Sequence, residues 1–103
     1  MSVIVVARLF PKPGMTADYL QVYARFAGAV HAEHGCELYA AHEAPDGTIV
    51  MIEKWDSQAD LDAHLRAPHV AEYRDARQPF EERAPELQVL TAFPAGDAAR
   101  GAL

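Results

Sequence analysis

The chain has 103 residues, half of them apolar, with a formal net charge of −6 and a single cysteine. This composition indicates one globular domain and excludes a disordered chain. The nine basic residues are scattered and no apolar run is long enough for a membrane span, so neither a nucleic-acid partner nor a membrane partner is expected. A lone cysteine cannot form an internal disulfide, which favours a cytoplasmic location.

The first half of the chain predicts a strand, a helix and the first strand of a hairpin. The N-terminal segment is β-branched and continuously apolar, as in a buried strand, and it lacks the basic region and cleavage site of a signal peptide. After a Pro-Lys-Pro-Gly turn, Thr16 is a candidate N-cap and Gly35 a candidate C′ residue of an amphipathic helix. The predicted elements are a strand over Ser2–Phe10, a helix from Thr16 to about His34, and a strand over Cys36–Ala44.

The second half predicts the returning strand, two short helices and a last strand. A Pro-Asp-Gly turn closes the hairpin, Ser57 is a candidate N-cap, and Pro68 breaks or restarts the helix that follows. The predicted elements are a strand over Thr48–Trp55, helices ending at Arg66 and about Arg77, a charged loop over Gln78–Glu86, and a strand over Leu87–Phe93. We therefore expect a single domain over residues 1–93 and a flexible C-terminal tail over residues 94–103.

The element order β-α-β-β-α-β is that of an α+β, ferredoxin-like fold, an antiparallel four-stranded sheet with helices on one face. The predicted strands are nevertheless apolar on both faces. In the third strand Val50 and Ile52 alternate with Ile49 and Met51, so both sets of side chains are apolar. Helices on one face leave the other uncovered, and we expect a homodimer in which sheet packs on sheet.

Two groups of histidines are candidate metal ligands. His31 and His34 with Cys36 supply only three soft ligands, and they fit equally a polar last helical turn that ends at a glycine. His64 and His69 lie five residues apart across a proline, which is not the spacing of a helical ligand pair. No metal site is predicted.

The same two histidines, His64 and His69, are candidates for proton transfer. A partly buried histidine commonly has a structural role, with a hydrogen bond to a backbone carbonyl. Imidazole is also the side chain whose pKa suits proton transfer near neutral pH. The sequence leaves both interpretations open.

Glu53 lies on the same strand face as Met51 and Trp55, where a carboxylate needs a partner or a raised pKa. Arg8 on the first strand is a candidate partner, and the two side chains would form either a structural ion pair or a site with Glu53 as a base. Trp55 serves either core packing or as an aromatic wall for a flat ligand.

Several short motifs occur together in a fixed order over residues 3 to about 75. They are VVARLFPKPG, E-x-G-C at Glu33, Gly35 and Cys36 with Tyr39 after it, E-x-W at Glu53 and Trp55, and L-x-x-H-x-x-x-x-H at Leu61, His64 and His69. In these motifs the chain resembles the antibiotic biosynthesis monooxygenase (ABM) domain family, which includes small quinol monooxygenases. It departs from the family pattern at His34, where proline is frequent, and at Val70, where an aromatic residue is frequent.

The resemblance implies a dimeric α+β barrel with a ligand pocket between sheet and helices. It also implies oxygenation of a quinol-like or polyphenolic aromatic by O2 with no metal, flavin or nicotinamide cofactor. By the same resemblance His64 would be the catalytic base or donor, and the substrate-binding residues would be Trp55, His69, Tyr73, Glu53 and Arg8. Similar domains degrade haem, isomerise small signalling sugars or have no demonstrated activity, so an isomerase, a haem-degrading enzyme and a non-catalytic binding dimer are the alternatives.

Overall fold

The computed structural model describes residues 1–103 and has the predicted order of elements. The strands are β1 (Val3–Pro11), β2 (Cys36–Glu43), β3 (Ile49–Trp55) and β4 (Glu81–Leu90). The helices are α1 (Thr16–His31), α2 (Gln58–Arg66) and α3 (Pro68–Arg77), and a single 3₁₀ turn (Gln78–Phe80) precedes β4. Pro68 is the first residue of α3, a position that needs no backbone N–H donor, so it separates two helices rather than kinking one.

The four strands form one antiparallel sheet in the order β2-β3-β1-β4. The helices pack on one face of this sheet, which confirms the predicted ferredoxin-like α+β fold. None of the helices combines the length and the apolar character that crossing a bilayer requires.

The core lies between the helices and the strand positions that face them. In β3 the buried residues alternate with half-exposed ones, as expected for a strand with one covered face. Val5 of β1 and Trp55 of β3 have no exposed surface, and they pack with Tyr19 and Val30 of α1 and Leu61 of α2. This side of the sheet is therefore the one that can enclose a ligand.

The prediction for β4 was wrong at both ends. The segment expected to be a loop, Gln78–Glu86, forms most of the strand from Glu81 onward, and the strand stops at Leu90. Phe93, predicted to be inside the strand, lies beyond it and is 88% exposed. Because β4 is at the edge of the sheet, a proline that cannot donate and a run of charged side chains are both tolerated there.

The ends of α1 also differ from the prediction. The helix stops at His31, and a turn that includes Gly35 (φ 80°) leads into β2. The N-cap is Met15, which makes no side-chain capping bond; the Thr16 hydroxyl instead donates to the Gly47 carbonyl at 2.8 Å and ties α1 to the hairpin turn. The predicted cap of α2 is confirmed, since the Ser57 hydroxyl accepts from the backbone N–H of Asp60 at 3.1 Å.

Candidate active site

A cavity of about 230 Å³ lies between the helix-facing side of the sheet and helices α2 and α3. Nine of its fourteen lining residues are hydrophobic. This volume is smaller than the roughly 300–1,000 Å³ of pockets that bind drug-sized ligands, so the cavity suits a ligand of one or two rings. The lining residues with polar groups are Tyr39, Glu53, His64, Tyr73, Arg74 and Arg77.

His64 of α2 is the histidine that reaches this cavity. It is 5% exposed, and its ring lies 4.5 Å from the Trp55 ring and 5.6 Å from the Tyr39 ring between centroids. Its Nδ1 is 2.9 Å from Oε2 of Glu33. The imidazole is thus packed against two aromatic rings and oriented by one carboxylate.

The same oxygen of Glu33 also contacts Nε2 of His69 at 2.8 Å. A carboxylate oxygen accepts, so each of these ring nitrogens is the one that donates. In the neutral form, His64 then carries its proton on Nδ1 and leaves Nε2 as an acceptor. The break at Pro68 allows histidines five residues apart to meet one carboxylate in the turn between α1 and β2.

Glu53 is 6% exposed and accepts a hydrogen bond from Nε1 of Trp55 at 3.0 Å. Burial raises the pKa of Glu53, and the Trp55 bond and the nearby His64 oppose this only in part. The predicted Glu53–Arg8 pair was wrong. Arg8 pairs in register with Val50 and points to the face away from the helices, where its guanidinium lies 3.9 Å from Glu86.

Replacing Glu53 by glutamine is expected to change how stability depends on pH. Because the pKa is raised in the folded state, wild-type stability falls as pH rises from the ordinary carboxyl value of 4.5 through the raised pKa. Glutamine cannot ionise, so the stability of the variant relative to wild type should rise as the pH increases from 4.5 through the raised pKa of Glu53. Urea unfolding at several pH values measures this. Glu72→Gln, at an exposed site on α3, is the control, and a pH-independent difference for Glu53→Gln would contradict the expectation.

Of the other predicted site residues, one lines the cavity and two lie behind its wall. Tyr73 of α3 lines the cavity together with His64 and Glu53. Trp55 has no exposed surface and His69 is bonded to Glu33, so both stand behind His64 rather than in the cavity wall. Trp55 is therefore not among the residues that line this cavity, although it contacts Glu53 and His64, which are.

Glu33, Tyr39 and Arg77 were not among the predicted site residues. Glu33 begins the E-x-G-C segment and Tyr39 follows it, and in the sequence this segment indicates only the family resemblance. Burial strongly raises the pKa of Tyr39, so its hydroxyl stays protonated. The signal that could have pointed to Glu33 is a carboxylate just past the end of a helix, with two histidines elsewhere in need of an acceptor.

The histidines and cysteine near the end of α1 have separate partners. Nε2 of His31 is 3.0 Å from the Tyr39 carbonyl, and Nδ1 of His34 is 2.8 Å from Asp60. Burial raises the pKa of the Cys36 thiol, which disfavours its thiolate. No group of three or more His, Cys, Asp and Glu side chains is placed to hold a metal ion.

The sequence profile of the antibiotic biosynthesis monooxygenase family matches residues 2–76, and the chain belongs to this family. Among its relatives, "Probable quinol monooxygenase YgiN" of Escherichia coli strain K12 is 36% identical over 85 residues, covering 70% of this chain and 81% of that protein. Rv0793 of Mycobacterium tuberculosis is 33% identical over 73 residues, covering 70% of this chain and 72% of its own.

Solved structures show the same fold. The structure of Rv0793 superposes with a TM-score of 0.83 at 28% identity, covering 94% of this chain and all of that one (100%). SnoaB from Streptomyces nogalater, described as a cofactor-independent oxygenase, superposes with a TM-score of 0.79 over 91% of this chain and 95% of its own. At 21% identity this second likeness establishes the fold alone.

Proposed function

We propose that the protein is a cofactor-independent monooxygenase that oxidises a small quinol-like aromatic with O2. The observation that carries the proposal is His64, which lines a small, mostly apolar cavity and has its Nδ1 held by Glu33. Family membership supports it, as do the quinol monooxygenase name of YgiN and the description of SnoaB.

The first step is removal of a proton from a substrate hydroxyl. With Nδ1 donating to Glu33, Nε2 of His64 has the free lone pair that a general base needs. The charge that develops on the imidazolium is stabilised by the Glu33 carboxylate. Glu33 acts through His64 and is a positioning residue, and His69 donates to the same carboxylate oxygen.

The second step is transfer of one electron from the quinolate to O2, which gives a semiquinone and superoxide. Recombination of the two radicals forms a C–O bond and, with the proton held by His64, a hydroperoxide. Cleavage of its O–O bond with loss of water leaves one oxygen atom on the ring as a hydroxyquinone. The quinol supplies all the electrons, so the balance needs no further reductant.

The walls of the cavity support this chemistry. Apolar side chains such as Ala7, Met51 and Val70 exclude water around the quinolate, which keeps the anion reactive and the radical pair together. The volume of about 230 Å³ disfavours a ligand as large as haem.

Oxygen uptake is the direct test. Purified protein, dialysed against a chelator, is given a panel of hydroquinones and naphthohydroquinones, and O2 consumption and hydroxyquinone formation are measured against the uncatalysed rate. We expect uptake with formation of hydroxyquinone and water. Uptake no faster than the uncatalysed rate throughout the panel would refute the proposal, and a Soret band on haem titration would favour haem chemistry instead.

We also propose that two copies of the chain pack sheet on sheet. The sheet face away from the helices carries half-buried apolar side chains, among them Val6, Ala40, Val50 and Ile52. An apolar surface of this kind favours a protein partner. Sedimentation at micromolar protein should give twice the mass of one chain, and Ile52→Lys should lower it; a concentration-independent monomer would refute the dimer.

A further inference from the structure

We propose that Tyr73 and Arg77 form a subsite that binds an anionic substituent of the substrate, such as a carboxylate, at the end of the cavity remote from His64. The reacting end of the substrate is assigned by the proposed function, and this inference rests on it to that extent. The substrate class is then an aromatic quinol that carries an acidic group on its distal side.

Tyr73 is a buried donor with nothing to bond to. It lines the cavity and is 4% exposed; the Arg77 guanidinium is near its hydroxyl, but an arginine can only donate, so the O–H of Tyr73 has no acceptor. Burial raises the pKa of Tyr73, so the hydroxyl stays protonated and is free to donate. A buried polar group without a partner is costly, and a ligand oxygen that accepts this bond would remove the cost.

Arg77 stands beside it. Its guanidinium lies 4.7 Å from the centroid of the Tyr73 ring, and its buried Nε has no hydrogen bond. The nearest carboxylate oxygen of Glu81 is 3.6 Å from Nε, too far for a hydrogen bond, and both side chains are almost as buried as Tyr73. The other Glu81 oxygen and the Tyr19 hydroxyl are also buried and make no hydrogen bond of their own.

The cavity has polar residues at both ends, His64 with Glu53 at one and Arg77 at the other, with apolar strand residues between them. Glu53 pairs with Val5, and four residues further along β1 Leu9 pairs with Ile49, a separation of about 13 Å along the strands. His64 packs at the Glu53 end, against Trp55. Arg77 is at the other end, since its neighbour Glu81 pairs with Pro11. A ligand that fills the cavity must therefore be polar on both sides and apolar between them.

The local charge is opposite to that of the whole chain. The net charge is −6, yet at the Tyr73–Arg77 end two guanidiniums, Arg74 and Arg77, line the cavity, and the one carboxylate close to them is Glu81, which pairs with Arg77. Local charge rather than net charge decides which ligands a cleft attracts. The balance favours an anion over a neutral carbonyl at the Tyr73–Arg77 end.

The test compares two ligands of nearly equal size under anaerobic conditions, where no turnover occurs. They are a naphthohydroquinone with a carboxylate on the ring remote from its hydroxyls, and the methyl ester of that acid. Wild type should bind the acid about tenfold more tightly or better, as a charge-assisted hydrogen bond implies. Two variants should bring the ratio of acid affinity to ester affinity towards one while the ester still binds. They are Tyr73→Phe and the charge-neutral double change Arg77→Gln with Glu81→Gln. Arg66→Gln, an exposed site on α2 outside the cavity, is the control.

The outcomes separate the two proposals. Equal binding of acid and ester by wild type, or a preference that survives the double change, would overturn the subsite. Preferential binding of the acid without any O2 uptake would support the subsite and refute the monooxygenase. Normal O2 uptake with both ligands and no difference in their affinities would support the monooxygenase and overturn the subsite.

Discussion

His64→Ala is expected to lower quinol-dependent O2 uptake by about 100-fold or more, the usual contribution of a positioned general base. His64 is the only histidine in the cavity wall, and its Nδ1 is already engaged by Glu33, so no other imidazole offers a free nitrogen there. The rate is measured as O2 consumption at saturating quinol. Because deprotonation comes before electron transfer, the loss should shrink as pH approaches the pKa of the substrate hydroxyl.

The control for this experiment is His42→Ala. His42 is exposed on β2 and outside the cavity wall, and its side-chain hydrogen bond is to the Val50 carbonyl at 3.2 Å, so its removal should leave the rate unchanged. Partial rescue of His64→Ala by added imidazole would separate a lost base from a damaged fold. A His64→Ala protein that is folded and as active as wild type would disprove the assignment.

Trp55→Ala is expected to lower the free energy of unfolding by about 3–5 kcal/mol, the usual cost of removing a large buried aromatic side chain. Trp55 has no exposed surface and belongs to the main core cluster. Its loss also leaves the buried carboxylate of Glu53 without the N–H that donates to it. Urea unfolding followed by circular dichroism measures the change.

Trp55→Phe separates these two contributions. Phenylalanine keeps most of the ring volume but has no N–H, so we expect a smaller loss of about 1–3 kcal/mol, the cost of an unpaired buried acceptor. If Trp55→Ala cost less than the phenylalanine variant, the packing role assigned to Trp55 would be wrong.

Much of the fold could be predicted because the strands and helices have distinct periodicities. The strand predicted over Thr48–Trp55 and the Ser57 cap of α2 depend on local signals, and both predictions are confirmed. The extent of β4 is not a local property. Its polar residues and Pro85 resemble a loop, and they are compatible with a strand only because β4 takes the edge position beside β1.

The site was harder to predict because it depends on register and on contacts between distant residues. Arg8 and Glu53 are both on strands, but the register that pairs Val5 with Glu53 sends Arg8 to the other face. Glu33 meets histidines that are 31 and 36 residues away in sequence. Neither fact follows from motif spacing.

The oxygen of Glu33 shared by two imidazoles has a consequence for ligand entry. It links the turn after α1 to both α2 and α3, so neither helix can move away from this turn without breaking a charge-assisted hydrogen bond. A wall braced in this way loses little conformational entropy when a ligand arrives, and binding should be fast and nearly free of rearrangement. Glu33 therefore holds this wall of the cavity in place before any ligand binds.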